Sequence, residues 1–205
     1  SETFIPLAST VASFRSDLPV MIIHDFNAGR PPANSQTFAH VQIYEPDTNQ
    51  VTSLNGIPAL ASRAIIAARG SSTEGYPKTS LKLEFQDEFG FDRNLSPLGL
   101  PAESDWVLYA PNNFEPILIH NPFAHQLSRD IGRYSPRTRF VEVYFVSSGV
   151  GPVAQSSYHG IYVLEEKIKL DGDRVNAPRL SCHEHNAAQR SEEIVARIQK
   201  GERVA

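Results

Sequence analysis

The sequence holds one cysteine, Cys182, so an internal disulfide is excluded. No apolar run comes near the roughly 18 residues that a membrane-spanning helix needs; the longest, at residues 64–68 and 140–146, are far shorter. Positive charge is not in excess. Lysine and arginine number 19 against 23 acidic residues, a formal net charge of -4, and no long basic run occurs. That balance argues against a nucleic-acid partner, whose phosphates require clustered cations. There is no GxGxxG, Walker A, HExxH or GxSxG pattern, so the common dinucleotide, P-loop, zinc-protease and hydrolase signatures are all missing. The opening SETFIPLAST carries no basic stretch ahead of an apolar core, and no signal peptide is visible.

What is present is an ordinary globular composition, 40% hydrophobic and 20% charged over 205 residues. At roughly 150 residues per domain that is one domain, or one with an appendage. The 15 prolines and 12 glycines point to many turns and short elements. Residues 1–16 read as a lead-in. Strands are expected at 18–25, 38–45, 64–69, 79–85, 106–109, 138–146 and 160–167, from apolar runs or strict alternation. In the fourth of these Leu81, Leu83 and Phe85 face inward, and Ser80, Lys82 and Glu84 outward. One helix is expected at about 115–131. Ile119, Phe123, Leu127 and Ile131 recur every four residues on one face, Asn121 and Pro122 suit its start, and Gly132 suits its end. A second helix is expected at 186–200. Strands, then a helix, then strands make an α+β chain rather than a doubly wound sheet.

Three segments can carry chemistry. RGSSTEGYPK, residues 69–78, joins two strands with a Gly- and Ser-rich loop flanked by Arg69 and Lys78. Free N–H groups, hydroxyls and two cations can hold phosphate oxygens, and the same pattern also describes a plain polar hairpin loop. In PRTRFVEVYF, Arg137 and Arg139 share one face of a strand. In YVLEEKIKLDGDR an apolar strand runs into dense charge. Both also read as ordinary solvated edges. Cys182, His183 and His185 cluster without a fourth ligand or paired spacing, and His120 and His125 are five apart, so no metal site is assigned.

These segments resemble the CotH kinase family, named for a spore-coat protein. The matching text is RGSSTEGYPKTSLKLEF, LGLPAESDWVLYAPN, LIHNPFAHQLSRDIGRYSPRTRFVEVYF and HGIYVLEEKIKLDGDRV, in that order. The likeness runs from about residue 18 to about residue 180. It implies a divergent protein-kinase-like N-terminal lobe, a mostly antiparallel sheet with one main packed helix and a C-terminal helix. Residues 17–180 would form this domain, and 181–205 a linker and helix. It further implies ATP and magnesium as cofactors, and a protein substrate with serines. A location at the cell surface or spore coat is implied as well. By resemblance the cofactor-binding residues are Arg69, Ser71, Lys78, Glu166 and Lys167, with the catalytic residues expected beyond Ala205.

Thr79, His120 and Gln126 depart from what many relatives carry, namely lysine, arginine and an acid. If that acid pairs with the phosphate-binding lysine, an amide at 126 weakens the pair. The alternative function is a non-catalytic binding module at the cell surface or spore coat that keeps the fold.

Overall fold

The computed structural model describes residues 4–33, 35–70, 76–112, 115, 117–147 and 151–176. The chain divides into two compact units, residues 1–167 and 168–205. In the second, the described residues 168–176 form a turn bridged between Leu170 and Val175. The expected helix at 186–200 and the Cys182–His185 cluster lie outside the described residues.

The first unit runs α1 (Ser9–Ala12), β1 (Arg15–Ser16), β2 (Val20–His24), β3 (Thr37–Tyr44), β4 (Thr52–Ser53), β5 (Leu60–Arg69), β6 (Ser80–Gln86), β7 (Asp105–Tyr109), α2 (His120–Asp130), β8 (Thr138–Val146) and β9 (Tyr158–Glu166). Seven of the strands close into a barrel in the order β2-β3-β5-β6-β7-β9-β8, and β1 pairs separately with β4. Six of the seven contacts around the barrel are antiparallel. The seventh, β2 against β8, is parallel and seals it, with Met21 opposite Val143 and Ile23 opposite Phe145. A barrel this narrow has its interior filled by side chains. The filling is Met21, Ile23, Val41, Ile43, Ile66, Leu83, Phe85, Trp106, Leu108, Val141, Val143, Tyr162 and Leu164.

The α+β lobe expected from the sequence is therefore corrected. The first unit is mostly β, its sheet is closed, and α2 is the only helix longer than four residues among those described. Alternation of period two reports that a strand has an inside and an outside. It carries no sign of whether the sheet closes, which here depends on pairing strands more than a hundred residues apart.

The helix is the second correction. It was expected to pack its apolar stripe, yet Ile119, Phe123, Leu127 and Ile131 are 46%, 63%, 51% and 70% exposed. Pro122 is its one buried residue. Periodicity shows that a helix is two-faced, not that a partner covers the apolar face. Its C-terminus follows the expectation. Gly132 has φ +78, and N–H bonds from Gly132 to Arg129 O (2.9 Å) and from Arg133 to Ser128 O (3.0 Å) complete a Schellman motif. Leu127→Ala is accordingly expected to change the unfolding free energy by less than about 0.5 kcal/mol. Urea denaturation checks this, because a packed Leu would cost about 2–5 kcal/mol.

A smaller cluster lies outside the barrel. Ile5, Val11, Leu54 and Val153 cover the outer faces of Val20, Ile22, Tyr44, Tyr144 and Val146. Residues of the lead-in thus seal one outer wall. Elsewhere among the described residues, no helix is long and apolar enough to cross a membrane.

Candidate functional site

At one end of the barrel β5 finishes, β6 begins, β7 finishes and β9 begins, because antiparallel neighbours bring their opposite termini together. Arg69 is the last residue of β5 and Lys78 stands two residues before β6. The two cations that the sequence singled out are therefore at the same end. Ser71 lies outside the described residues.

The Lys78 ammonium is half-buried and tightly held. Its Nζ donates to Pro111 O at 3.1 Å and to Ile161 O, and it lies 4.7 Å from the centre of the Tyr162 ring. Asn112 fixes the backbone around it, donating from Nδ2 to Lys78 O (3.1 Å) and Ala110 O (2.8 Å). An ammonium has three N–H bonds, so one remains beyond those two carbonyls. Burial pulls the Lys78 pKa down to about 8, against an opposing effect from the negative charge of Glu115.

Glu115 was not singled out from the sequence. It is 2% exposed and tied down on both oxygens. Tyr109 donates its hydroxyl to Oε2 at 2.5 Å, and the backbone N–H groups of His120 and Asn121 donate to Oε1 at 2.7 and 3.4 Å. Those N–H groups belong to the first turn of α2, whose cap position, Ile119, offers no side-chain acceptor. Glu115 does that work from upstream. Asn121, the expected cap, lies inside the helix instead. The carboxylate whose field reaches Lys78 is thus residue 115. Gln126, weighed for that role, is exposed and bonds Asp130 (2.7 Å) and Arg129 (2.6 Å) within α2. No spacing rule could have found Glu115, since it is joined to its partners by a loop.

A second carboxyl completes the group. Glu165 lies on the outer face of β9, 8% exposed, with Oε1 lacking a hydrogen-bond partner. Burial pushes its pKa up to about 7; Glu115 raises it further and Arg69 opposes. Arg69, Lys78, Tyr109, Glu115 and Glu165 therefore form one electrostatically linked set.

Glu166 and Lys167 sit elsewhere. Glu166 pairs with Trp106 near the start of β7, whereas Ile161 lies beyond Val163, the partner of Tyr109 at the end of β7, and Glu165, level with Val107, lies between the two. Glu166 has the inward parity of Tyr162 and Leu164. It receives three hydrogen bonds from Arg137, from the backbone N (2.9 Å), Nε (2.9 Å) and Nη2 (2.8 Å). Lys167 donates to Asp105 Oδ1 at 2.7 Å. The structure unites Arg69 with Lys78, and separates both from Glu166 and Lys167. Thr79 accepts from an Arg30 N–H at 2.7 Å, and His120 is paired loosely with Glu115, 3.9 Å away. Among the described residues no group of three His, Cys, Asp or Glu is placed to hold a metal ion.

The Lys78 end also opens into a cavity of about 220 Å³ in the barrel mouth. Its floor is the top layer of the core, Leu81, Val143 and Tyr162, and Phe145 and His159 stand at its side. His159 is there because of a β-bulge. Val143 pairs with Gly160 and Tyr144 with Tyr158, which leaves His159 unpaired, and Gly160 takes φ +87. A bulge of this kind re-aims the side chain of the extra residue.

Comparison with known proteins gives one family. A family model described as CotH kinase protein matches residues 66–191, more than half of the chain. The match takes in both Arg69 and Lys78, and begins within β5. No curated protein matches the chain.

Proposed function

Since this chain belongs to the CotH kinase protein family, we propose that its Lys78 end binds the phosphates of ATP in an ATP-dependent protein kinase acting on serine. The supporting observation is the Lys78 ammonium, fixed by Pro111 O and Ile161 O with its third N–H still to place. Phosphoryl transfer depends on positioning and charge neutralisation more than on covalent chemistry by the protein. An amine clamped by two backbone carbonyls is already positioned, so little side-chain entropy is lost on binding. Arg69, exposed at the end of β5, supplies a second cation and Glu165 tempers it.

ATP would supply the transferable phosphoryl group. Magnesium finds no cluster of protein ligands among the described residues, so on this reading any bound ion is held chiefly by phosphate oxygens and water, as is common for magnesium. A spore-coat or cell-surface location is part of the same proposal and rests on the family alone. The pH of the assay matters. With its pKa at about 8, Lys78 is largely charged at pH 7 and loses that charge above pH 8, and a bound phosphate would raise the pKa again.

The test is the affinity of the chain for ATP with magnesium at pH 7, by calorimetry. Lys78→Ala should weaken binding about 10- to 100-fold, the loss of one charge-assisted hydrogen bond and its Coulomb attraction. An unchanged affinity would overturn the assignment of Lys78.

A further inference from the structure

We infer that the outer wall of the barrel carries a docking groove over β3, and that its occupant is a short, extended, uncharged segment of a partner protein with apolar side chains. The groove shares no lining residue with the cavity beside Lys78, so it stands or falls apart from the phosphate reading.

The groove arises from the pleat of β3. Ala39, Val41 and Ile43 belong to the core, so His40, Gln42 and Tyr44 stand in a row on the outer face. On the neighbouring strand Ala61 lies opposite Gln42, and its small side chain leaves space above the sheet. The lead-in contributes Phe4 and Ile5 to the walls, and the connection from β4 to β5 contributes Leu54, Ile57 and Pro58. The cavity they enclose is about 790 Å³, within the roughly 300–1,000 Å³ of sites that take a ligand. His40 to Tyr44 spans about 13 Å at roughly 3.3 Å per residue, the length of an extended segment of about five residues.

Three observations say what lies there. The first is the floor. His40 and Gln42 are each 7% exposed, and neither ring nitrogen of His40 has a hydrogen-bond partner among the described residues. A buried polar group without a partner is unfavourable, so a ligand that bonds His40 supplies what the free protein lacks. Burial first, then His24 and Arg63, hold the His40 pKa below the usual histidine value. The ring is thus neutral near pH 7, with one nitrogen donating and one accepting. Gln42 accepts the Tyr44 hydroxyl at 3.2 Å through Oε1, and its Nε2 makes no bond among the described residues. A peptide residue offers the matching pair, one N–H and one C=O. In an extended chain the residues that present both on one edge recur at every second position. His40 and Gln42 are themselves two positions apart on β3, so each meets one such residue of a chain laid along the strand.

The second is charge. Among the described residues that line the groove none is charged, in a chain that is 20% charged. Arg63, opposite His40 on β5, is bonded to Glu88 O at 3.0 Å instead. An ion in the groove would lose its water without meeting a counter-charge, and a bare hydrocarbon would leave His40 and Gln42 unpaired. The third is the rim. Phe4 and Ile57 are almost fully exposed, and apolar side chains of a bound segment would cover them.

The probe is a pool of N-acetylated, C-amidated pentapeptides with Val, Leu or Phe at the odd positions and Thr at the even ones. Binding is read by NMR from the His40 ring nitrogens, whose signals are assigned by their loss in His40→Leu. The expected result is a shift of these signals that saturates with probe; no shift at about 1 mM overturns the proposal. Ile57→Asp, at an exposed position outside the core, should weaken the pool about tenfold by calorimetry, and so should His40→Leu. His40→Leu should keep its urea midpoint at or above that of wild type, because it removes a buried group that has no partner. Unchanged affinity in His40→Leu would make His40 a structural residue and overturn the assignment. The same pool N-methylated on every residue, and decanol as an uncharged apolar probe, should leave the ring signals in place. If either moves them as the pool does, the groove reads apolar bulk rather than peptide groups, and the proposal falls.

Discussion

Glu166→Ala should cost about 3 kcal/mol of stability, the lower end of the loss seen when one partner of a buried ion pair is removed. The Glu166 side chain is fully buried, and Arg137 is 34% exposed. That partial exposure lets water soften the penalty for an unpaired guanidinium, hence the lower end. The loss goes beyond one pair. Glu166 accepts from both the backbone and the side chain of Arg137, and its own N–H donates to Arg137 O at 3.2 Å. It therefore pins the start of β8 to the end of β9 where the barrel interior closes. The resemblance implied a cofactor role for this residue, and the same variant separates the two. If Glu166 only closes the barrel, ATP affinity measured on the folded protein at low temperature stays within about twofold of wild type, a change of about 0.4 kcal/mol. If Glu166 holds the cofactor, affinity falls while urea midpoints move little. A double variant, Glu166→Leu with Arg137→Met, should recover most of the stability, since apolar pairs often replace buried ion pairs without loss.

The two ends of β9 show how much the sequence discloses. The strand itself, its apolar face and the charged run that follows are plain from residues 160–167. So is the inward set Leu81, Leu83 and Phe85 of β6, which the structure buries as expected. That Arg69 and Lys78 come to the same end of the barrel is also legible in local text, because a connection between antiparallel neighbours returns its two flanks to one place. What local text does not carry is contact at long range. The parallel seal between β2 and β8 follows from no motif, and it closes the expected mostly antiparallel sheet into a barrel. Glu115 belongs to the site because it bonds Tyr109 and the first turn of α2, across a connection with no periodicity. His159 falls just outside the strand expected at 160–167, and its place at the cavity follows only from the register shift beside it. The stripe of α2 was legible as a pattern, and its exposure was not, since what a helix packs against is decided by the rest of the molecule.

Glu165→Gln should remove a pH dependence of stability between about pH 4.5 and pH 7. With its pKa raised to about 7 from an ordinary 4.5, the folded chain keeps a proton on Glu165 that the unfolded chain has already released in that window. The folded state then binds more protons, so stability falls as pH rises from 4.5 to 7 and levels off above. The groups that set the value are burial first, then Arg69 from β5, which opposes it, and Glu115 ahead of α2, which adds to it. Tyr109, bonded to Glu115, stays protonated throughout, its pKa raised by burial and by both carboxylates. The shift of 7 - 4.5 corresponds to on the order of 3 kcal/mol between the two ends of the window. The Gln variant cannot ionise, so the difference between its unfolding free energy and that of wild type should grow by about that amount in its favour from pH 4.5 to pH 8. Lys78 acts in a separate window. Its pKa is lowered, so the folded chain releases a proton before the unfolded one does, and stability rises from about pH 8 to pH 10.5. Denaturant melts of wild type, Glu165→Gln and Lys78→Met over pH 4–10 resolve the two. A constant difference between wild type and Glu165→Gln across pH 4.5–8 would mean that Glu165 is ionised and paired in the fold, and that Arg69, rather than burial, governs that side of the site.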